Sequence, residues 1–190
     1  MNIVSNYSYT DATNLLKYFP EKPMKVVDLG AGKRDSPISE QMKQLECDWL
    51  ISLEAFEPYL EFLLHGGHKA RLHDIIKHKI ETYRFPKDTD VVVMIDVIEH
   101  LEDEEALDLI ERAQNTPSVR TIIIFTPEGD TIGYTNNDMG NELQAHKSAW
   151  FGNELEDLGF DVTIYENFHT HVKDHPIGAI WAVWNREKSE

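Results

Sequence analysis

Short apolar runs separated by amphipathic stretches recur along the chain. Most runs are continuous and rich in Val and Ile, which is typical of strands buried on both faces of a parallel sheet. We predict strands at 26–29, 49–53, 70–75, 91–95, 119–125, 160–165 and 176–184. The intervening stretches predict helices over 10–19, 37–46, 57–64, 102–114 and 148–158. This alternation predicts an α/β fold, a doubly wound three-layer sandwich with helices on both faces of the sheet.

The two ends of the chain depart from the alternation. Residues 1–9 predict an irregular segment, and Thr10 or Asp11 is expected to cap the first helix, which Pro20 ends. No helical pattern separates the last two predicted strands, so they are expected to pair antiparallel. Ser148 is expected to cap the last helix, which ends at Gly159.

Composition and charge narrow the class of protein. The 190 residues predict one domain over 1–190, with an N-terminal helical segment at 1–22. The formal net charge of −16 disfavours nucleic acids and anionic membranes as partners. Cys47 is the only cysteine, so no internal disulfide is possible. Without a signal region or an apolar membrane span in the sequence, we expect a cytoplasmic protein; the oligomeric state is not predicted.

A glycine turn follows the first predicted strand, in the sequence Val27-Asp28-Leu29-Gly30-Ala31-Gly32. Gly30 and Gly32 give the backbone conformational freedom and let a ligand approach the main chain. Ser36 and Pro37 then suit the start of a helix. Since nucleotides bind at this edge of doubly wound sheets, the turn predicts a nucleotide-type ligand.

The residues after the turn argue against a phosphate-bearing ligand. The dinucleotide fingerprint requires a glycine where this chain has Asp35, and a carboxylate repels a pyrophosphate. Lys33 lacks the spacing of a phosphate-binding P-loop. Aspartates instead suit a cationic ligand without phosphate, such as S-adenosylmethionine (SAM).

The block from Val27 to Gly32 resembles motif I of class I SAM-dependent methyltransferases, in which an acid precedes G-x-G. The further glycine that often follows in this motif is Arg34 here. The resemblance implies that Asp28 orders the turn or meets the cofactor ammonium, and that Lys33 or Arg34 meets its carboxylate. It also implies that three residues hold the methionine part through their backbone: Gly30, Ala31 and Gly32.

Acidic residues end the second and third predicted strands. Glu54 can accept hydrogen bonds from both ribose hydroxyls of NAD or SAM, and a solvated acid is the alternative. Ala55 follows it and belongs to the same subsite. The resemblance implies that Asp74 and Ile75 frame the adenine, although Asp74 can equally cap a helix.

The fourth predicted strand leads into Asp96-Val97-Ile98-Glu99-His100-Leu101, which resembles motif IV of the same family. This sequence motif is frequent in family members that methylate small molecules at an oxygen or a carbon atom. The resemblance implies that Asp96 and Val97 line the floor of the site near the methyl group. His100 is a candidate general base, because imidazole titrates near neutrality. Helix capping and loop packing are the alternative roles for Glu99 and His100.

A long polar loop at 128–147 follows the fifth predicted strand. Loops of this length in compact domains are usually functional or disordered, so we predict a substrate lid. Of the two candidate general bases, we favour His146 over His100 because it lies in the predicted lid; a hydrogen bond that shapes the lid is its alternative role. The residues around this loop resemble a subset of bacterial, archaeal and viral methyltransferases of unassigned substrate: Thr126, Pro127, Gly129, Gln144, His146, Ser148 and Trp150.

The family resemblance extends over residues 24–184. It implies a seven-stranded, mainly parallel sheet of order 3-2-1-4-5-7-6, with the last strand antiparallel. The connection before that strand carries His169, His171 and His175. Three histidines in a polar loop without cysteine are more often solvated than metal ligands, so we expect no metal site.

These features predict a SAM-dependent methyltransferase with a small-molecule acceptor. Two alternatives stay open. A catalytically silent SAM-binding or partner-binding scaffold is compatible with Arg34 in place of a glycine. An NAD-dependent oxidoreductase is disfavoured by Asp35 and by the antiparallel ending of the sheet.

Overall fold

An eight-stranded β-sheet lies at the centre of the structure. The computed structural model describes residues 1–23, 25–65, 74–136, 138–171 and 174–186. The strands are β1 Asn2–Val4, β2 Lys25–Leu29, β3 Trp49–Glu54, β4 Asp74–Lys77, β5 Val91–Ile95, β6 Thr121–Pro127, β7 Asp161–His169 and β8 Ile177–Asn185. Their order across the sheet is β1-β7-β8-β6-β5-β2-β3-β4.

The observed eight-stranded sheet contains the predicted seven-stranded sheet. Predicted strands one to seven are β2 to β8, and the predicted order is confirmed. Residues 70–73 of the predicted third strand lie outside the described residues, and β4 continues to Lys77. The strands β4, β3, β2, β5 and β6 run parallel, whereas β8 is antiparallel to both β6 and β7. The carboxyl ends of β2, β3 and β5 therefore meet at one edge of the sheet, where ligands of such folds bind.

Apolar side chains cover both faces of the sheet. On one face, Met94 of β5 belongs to a core that includes Leu109 of the helix Asp103–Asn115. On the other face, Val93 belongs to a second core with Met42. Successive side chains of a strand point to opposite faces, so one uninterrupted apolar run serves both cores. The predicted three layers are confirmed.

Four α-helices and several short 3₁₀ helices complete the described structure. The α-helices are α1 Tyr9–Ala12, α2 Glu57–His65, α3 Asp103–Asn115 and α4 Gly152–Asp157. The 3₁₀ helices are Leu16–Tyr18, Ser39–Lys43, Ile80–Thr82, Ile98–His100, Asp138–Gly140 and Glu142–Gln144. Among the described residues, none of the helices has both the length and the apolar character needed to span a bilayer.

The N-terminal segment differs from the prediction. Residues 2–4 form β1, which pairs in parallel with β7, where the sequence predicts an irregular segment. Three residues give too short a pattern to predict a strand, and the free edge of β7 is what orders them. The helix α1 begins after Ser8, whose Oγ accepts the Asp11 N–H at 3.1 Å, so the predicted cap at Thr10 or Asp11 is wrong.

Two other helix predictions are corrected. The predicted helix over 37–46 is a 3₁₀ helix at Ser39–Lys43. There Gln41 Nε2 donates to the Thr13 carbonyl oxygen at 2.7 Å, so contacts with the N-terminal segment fix this stretch. Ser148 does not cap α4, because it is buried and its hydroxyl donates to the Ile98 carbonyl oxygen at 3.0 Å.

Replacement of Trp181 tests how the N-terminal segment is held. Trp181 is fully buried in β8, and its Nε1–H donates to the Ala12 carbonyl oxygen at 2.7 Å. We expect Trp181→Ala to lower the free energy of unfolding by about 3–5 kcal/mol in urea titrations. Trp181→Phe should cost about 1–3 kcal/mol, because it leaves the carbonyl without this donor. The exposed Trp49 is the control, and Trp49→Phe should change stability by less than about 0.5 kcal/mol. Equal losses at both positions would contradict this role of Trp181.

Candidate active site

The turn after β2 brings bare backbone to the carboxyl edge of the sheet. Gly30 and Gly32 have φ angles of 63° and 58°, in the left-handed region that favours glycine. A Cβ on Gly30 would lie 2.8 Å from Val97 Cγ2, so the turns after β2 and β5 are in contact here. The Ala31 N–H donates to the Leu53 carbonyl oxygen at 2.8 Å, which fastens the turn to β3.

Glu54 ends β3 beside this turn. Its Oε2 accepts the Gly32 N–H at 2.9 Å, and its Oε1 accepts the Phe56 N–H at 2.8 Å. Burial raises the pKa of the Glu54 carboxyl, and these backbone N–H groups partly oppose the effect. A carboxylate can accept about four hydrogen bonds, so both oxygens retain capacity for a ligand.

Arg34 occupies the place of the family's further glycine, and its backbone explains why glycine is common there. Its φ angle is 54°, again in the left-handed region. The side chain turns inward and is 2% exposed as a residue. Its Nη2 donates to Asp28 Oδ2 at 2.5 Å and to Ser52 Oγ at 2.6 Å. The expectation that Arg34 meets a ligand carboxylate is therefore wrong in this structure, because its guanidinium is committed to Asp28.

Lys33 points the other way and contacts the 128–147 loop. Its Nζ lies 2.7 Å from Asp138 Oδ2 and 3.0 Å from Asp35 Oδ2. The Tyr59 hydroxyl donates to the same Asp138 oxygen at 2.9 Å. These contacts hold the loop against the glycine turn and raise the pKa of Lys33.

Asp96 and Val97 follow β5 at the same edge. Asp96 has a φ angle of 51°, and its N–H donates to the Phe125 carbonyl oxygen at 2.9 Å. Its side chain opens to the cleft described below, whereas Val97 is buried. Although Asp96 reaches solvent, the dense protein around it raises the pKa of its carboxyl, and the nearby Glu99 raises it further.

Glu99, His100 and His146 form a compact group beside Asp96. One potential ligand atom of each lies within 4.8 Å of those of the other two. The rings of His100 and His146 have their centroids 4.9 Å apart, edge to face. Glu99 is 1% exposed and accepts the Thr126 hydroxyl at 2.9 Å. Burial raises the pKa of Glu99 and lowers that of His100. The group therefore combines two imidazoles with one buried carboxyl.

The 128–147 loop carries His146 to this group. The Lys147 N–H donates to the Glu99 carbonyl oxygen at 2.8 Å, which fixes the end of the loop on the turn after β5. His146 Nδ1 lies 2.8 Å from Thr131 Oγ1, near the beginning of the loop. The loop is thus folded across itself, with His146 7% exposed.

A cleft opens between the three strand-end turns and this loop. About 650 Å³ of this space is free of protein atoms, and part of it is open to solvent. Seven predicted site residues line it: Gly30, Gly32, Glu54, Ala55, Asp96, Val97 and His100. The loop contributes Asn141, Leu143, Gln144 and Lys147.

The other predicted site residues take different positions. Asp28 is buried beneath the glycine turn, 4% exposed, and His146 lies behind the cleft. Ala31 lines a second cleft on the other side of the turn. Ile75 lies in β4 and does not line the first cleft. The side chain of Asp74 lies outside the described residues.

Sequence reasoning did not identify Thr126 and Thr131 as partners of this group. Each is brought to Glu99 or His146 by folding, and no local pattern around either threonine indicates it. For Glu99 the signal is its place between Asp96 and His100, which is equally compatible with a capping role. The structure brings Glu99 to the same group as both candidate bases.

The fold is that of known SAM-dependent methyltransferases. No protein-family model and no curated protein matches the sequence. By structure, the chain is similar to the small RNA methyltransferase HEN1, with a TM-score of 0.63 and 15% identity over 95% of this chain. It spans only 25% of the HEN1 chain.

Two bacterial structures are similar over more of their own length. A SAM-dependent methyltransferase from Mesorhizobium loti has a TM-score of 0.63 and 14% identity, over 90% of this chain and 95% of that one. The N-methyltransferase NodS from Bradyrhizobium japonicum, solved with S-adenosyl-L-homocysteine, has a TM-score of 0.61 and 10% identity, over 88% and 80%. At these identities the likeness establishes the fold of the chain.

Removal of the Arg34 charge tests the buried ion pair. Arg34→Met leaves Asp28 buried without its cation, which we expect to cost about 3–5 kcal/mol of unfolding free energy near pH 8. Burial raises the folded-state pKa of Asp28 above its unfolded value, so the native state favours the protonated acid. Stability from such a group is present at low pH and is lost as pH rises through the folded pKa. The loss caused by Arg34→Met should therefore shrink toward about pH 5 in urea titrations.

The double variant Arg34→Met/Asp28→Asn is the control for this pH dependence. It lacks the titrating carboxyl, so it should be more stable than Arg34→Met near pH 8, with a difference that shrinks at low pH. A loss that is the same at both pH values in the single variant would contradict the ion-pair explanation.

Proposed function

We propose that this protein is a methyltransferase that uses SAM. The proposal rests on one observation: the backbone of Gly30 and Gly32 and the carboxylate of Glu54 line the same cleft. In a fold shared with SAM-dependent methyltransferases, that cleft presents polar groups that suit an adenosyl ligand.

Three parts of the cleft have distinct roles in this proposal. The glycine turn offers backbone to the methionine part of the cofactor. Glu54 accepts hydrogen bonds from the ribose hydroxyls, as acids at this position of a doubly wound sheet do. Asp96 and Val97 form the floor toward the reacting centre. Bound SAM supplies a methyl group on a sulfonium, which is already activated for displacement.

Asp28 has an indirect role in this proposal. It is buried under the turn and paired with Arg34, so it acts on the shape of the turn and contributes no free charge to the ligand. The acidic groups that face the cleft include Glu54 and Asp96, and a ligand with a sulfonium and an ammonium would favour their ionised forms.

The protein's main contribution to the reaction is the positioning of an acceptor beside the cofactor. Holding two reactants in line can supply ~7–11 kcal/mol of the barrier. His100 lines the cleft and is neutral near pH 7, because burial lowers its pKa, so it can accept a proton from the acceptor. His146 lies behind the cleft in contact with His100 and supports it.

The proposed acceptor is a small molecule. The 128–147 loop covers one side of the cleft, which leaves limited room beside a cofactor. A net charge of −16 disfavours an anionic polymer. HEN1 is described as a small RNA methyltransferase, so RNA is the alternative acceptor that the experiments below include.

Calorimetric titration with SAM and NAD tests the cofactor assignment. We expect the wild type to bind SAM and to show no measurable heat with NAD. Glu54→Gln should weaken SAM binding about 10- to 100-fold, because a charge-assisted hydrogen bond is worth about 1.5–3 kcal/mol. The control is Glu61→Gln on the exposed side of α2, which should bind as the wild type does. Equal affinity of Glu54→Gln and wild type would remove the ribose assignment, and preferential binding of NAD would remove the proposal.

Transfer of a labelled methyl group tests activity and acceptor class together. The protein is incubated with methyl-labelled SAM and either the small-molecule fraction or the RNA of a cell extract. We expect label in the small-molecule fraction and a large loss of transfer in His100→Asn at unchanged SAM affinity. Label in RNA alone would contradict the acceptor class. SAM binding without any transfer would favour a silent SAM-binding scaffold.

A further inference from the structure

We propose that Glu99, His100 and His146 bind one divalent first-row transition-metal ion at the base of the cleft. One nitrogen or oxygen atom of each lies within 4.8 Å of those of the other two. Nitrogen and oxygen ligands of Zn²⁺ lie ~2.0–2.2 Å from the ion, so two ligands of one ion are at most about 4.4 Å apart and the three atoms must move closer together to share it. Small side-chain movements therefore bring the three atoms onto one ion. This inference replaces the sequence expectation of a protein without a metal site.

The donor set selects the class of ion. Imidazole nitrogens suit transition metals, whereas Mg²⁺ and Ca²⁺ prefer oxygen ligands. Two histidines and one carboxylate are a set that catalytic Zn²⁺ and non-haem Fe²⁺ sites use, with coordination positions left open. The three side chains thus suit an ion such as Zn²⁺, Fe²⁺, Co²⁺ or Mn²⁺ and leave room for donor atoms of a bound molecule.

Burial of the carboxylate is a second argument for a cation. Glu99 is 1% exposed, and a buried carboxylate is costly unless opposite charge or hydrogen bonds compensate it. The Thr126 hydroxyl supplies one hydrogen bond at 2.9 Å, and the backbone N–H groups of Val97 and Glu99 also donate to this carboxyl, so it is partly compensated. Asp96 adds a further carboxyl on the cleft side of the group. A divalent ion would compensate both acids at once.

The surroundings orient the two histidines. His146 Nδ1 lies 2.8 Å from Thr131 Oγ1, and His100 Nδ1 lies 3.4 Å from the Ala145 carbonyl oxygen. Metal-binding histidines usually have such a partner on one ring nitrogen, which fixes the direction of the other. Thr131 is therefore a positioning residue for the ion in this proposal.

The histidine loop near the C-terminus lacks these features. The rings of His169 and His171 have their centroids 6.2 Å apart. Within the described part of the chain, His169, His171 and His175 do not form a three-ligand group of the kind found at Glu99. This loop therefore provides a matched control for the metal experiment.

The role of the ion rests on the proposed function. His100 and Asp96 both line the cleft, so an ion at this group would lie next to the space for the acceptor. Its open coordination positions would bind an oxygen of the acceptor and orient it toward the cofactor. His100 would then be a ligand of the ion, and the ion, in place of His100 as base, would lower the pKa of that oxygen, whose proton would pass to solvent. The inference thus specifies the acceptor as a small molecule with a hydroxyl or carboxylate that can coordinate a metal.

Titration with Co²⁺ alone tests the site. The full chain is treated with chelator, dialysed and titrated, with d–d absorption and calorimetry as readouts and melting curves to verify folding. We expect one ion per chain. Glu99→Gln and His146→Asn should each weaken binding by more than about 100-fold, since loss of an outer partner alone costs about 10–100-fold. The control, His175→Asn, should bind Co²⁺ as the wild type does.

Thr131→Val keeps all three ligands and is the second variant, in case a ligand variant does not fold. We expect it to weaken Co²⁺ binding at least about tenfold. Absence of Co²⁺ binding by the wild type would overturn the inference. So would an affinity that stays at the wild-type level in every folded variant of Glu99, His146 and Thr131.

A calorimetric titration of the metal-free wild type with SAM separates this inference from the proposed function. SAM binding without Co²⁺ binding would overturn the metal site alone. Co²⁺ binding that depends on Glu99 and His146, without SAM binding, would support the site and contradict the proposed cofactor.

Discussion

The burial of the central strands on both faces is the constraint on which the structure depends. In β5 and β6 every residue is buried, and side chains alternate between two apolar cores. Such strands have no room for unpaired polar groups along their length. Most of the polar chemistry is therefore displaced to the ends, and parallel pairing collects the carboxyl ends of β2, β3 and β5 at one edge.

Asp28 and Ser52 are exceptions to this rule, and Arg34 explains how they are tolerated. Both lie inside strands, and the guanidinium above them supplies a hydrogen bond to each. The backbone of Arg34 takes a left-handed conformation, which glycine adopts most readily, and the side chain then turns inward to reach them. Arg34 stands where the resembled motif often has a glycine, and its guanidinium pairs with Asp28 beneath the turn.

The 128–147 loop completes the candidate site at the carboxyl edge of the sheet. It is anchored at Asp138 to Lys33 and at Lys147 to the backbone of Glu99. Between these anchors it closes one side of the cleft and brings His146 to His100. The proposed cofactor cleft and the proposed metal site therefore share the same loop.

Sequence by itself determined the seven main strands and, at their ends, the residues Gly30, Gly32, Glu54 and Asp96. The order of the strands followed from the family resemblance. The strands and these end residues follow from local patterns, because apolar runs and glycines at a strand end reflect the immediate neighbourhood. The edge strand β1, the 3₁₀ form of Ser39–Lys43 and the burial of Ser148 were decided by contacts with distant segments. Tertiary structure alone decided that Arg34 turns inward and that His146 meets Glu99 and His100. The reason is that side-chain direction and loop path depend on partners far away in the chain, which no local pattern encodes.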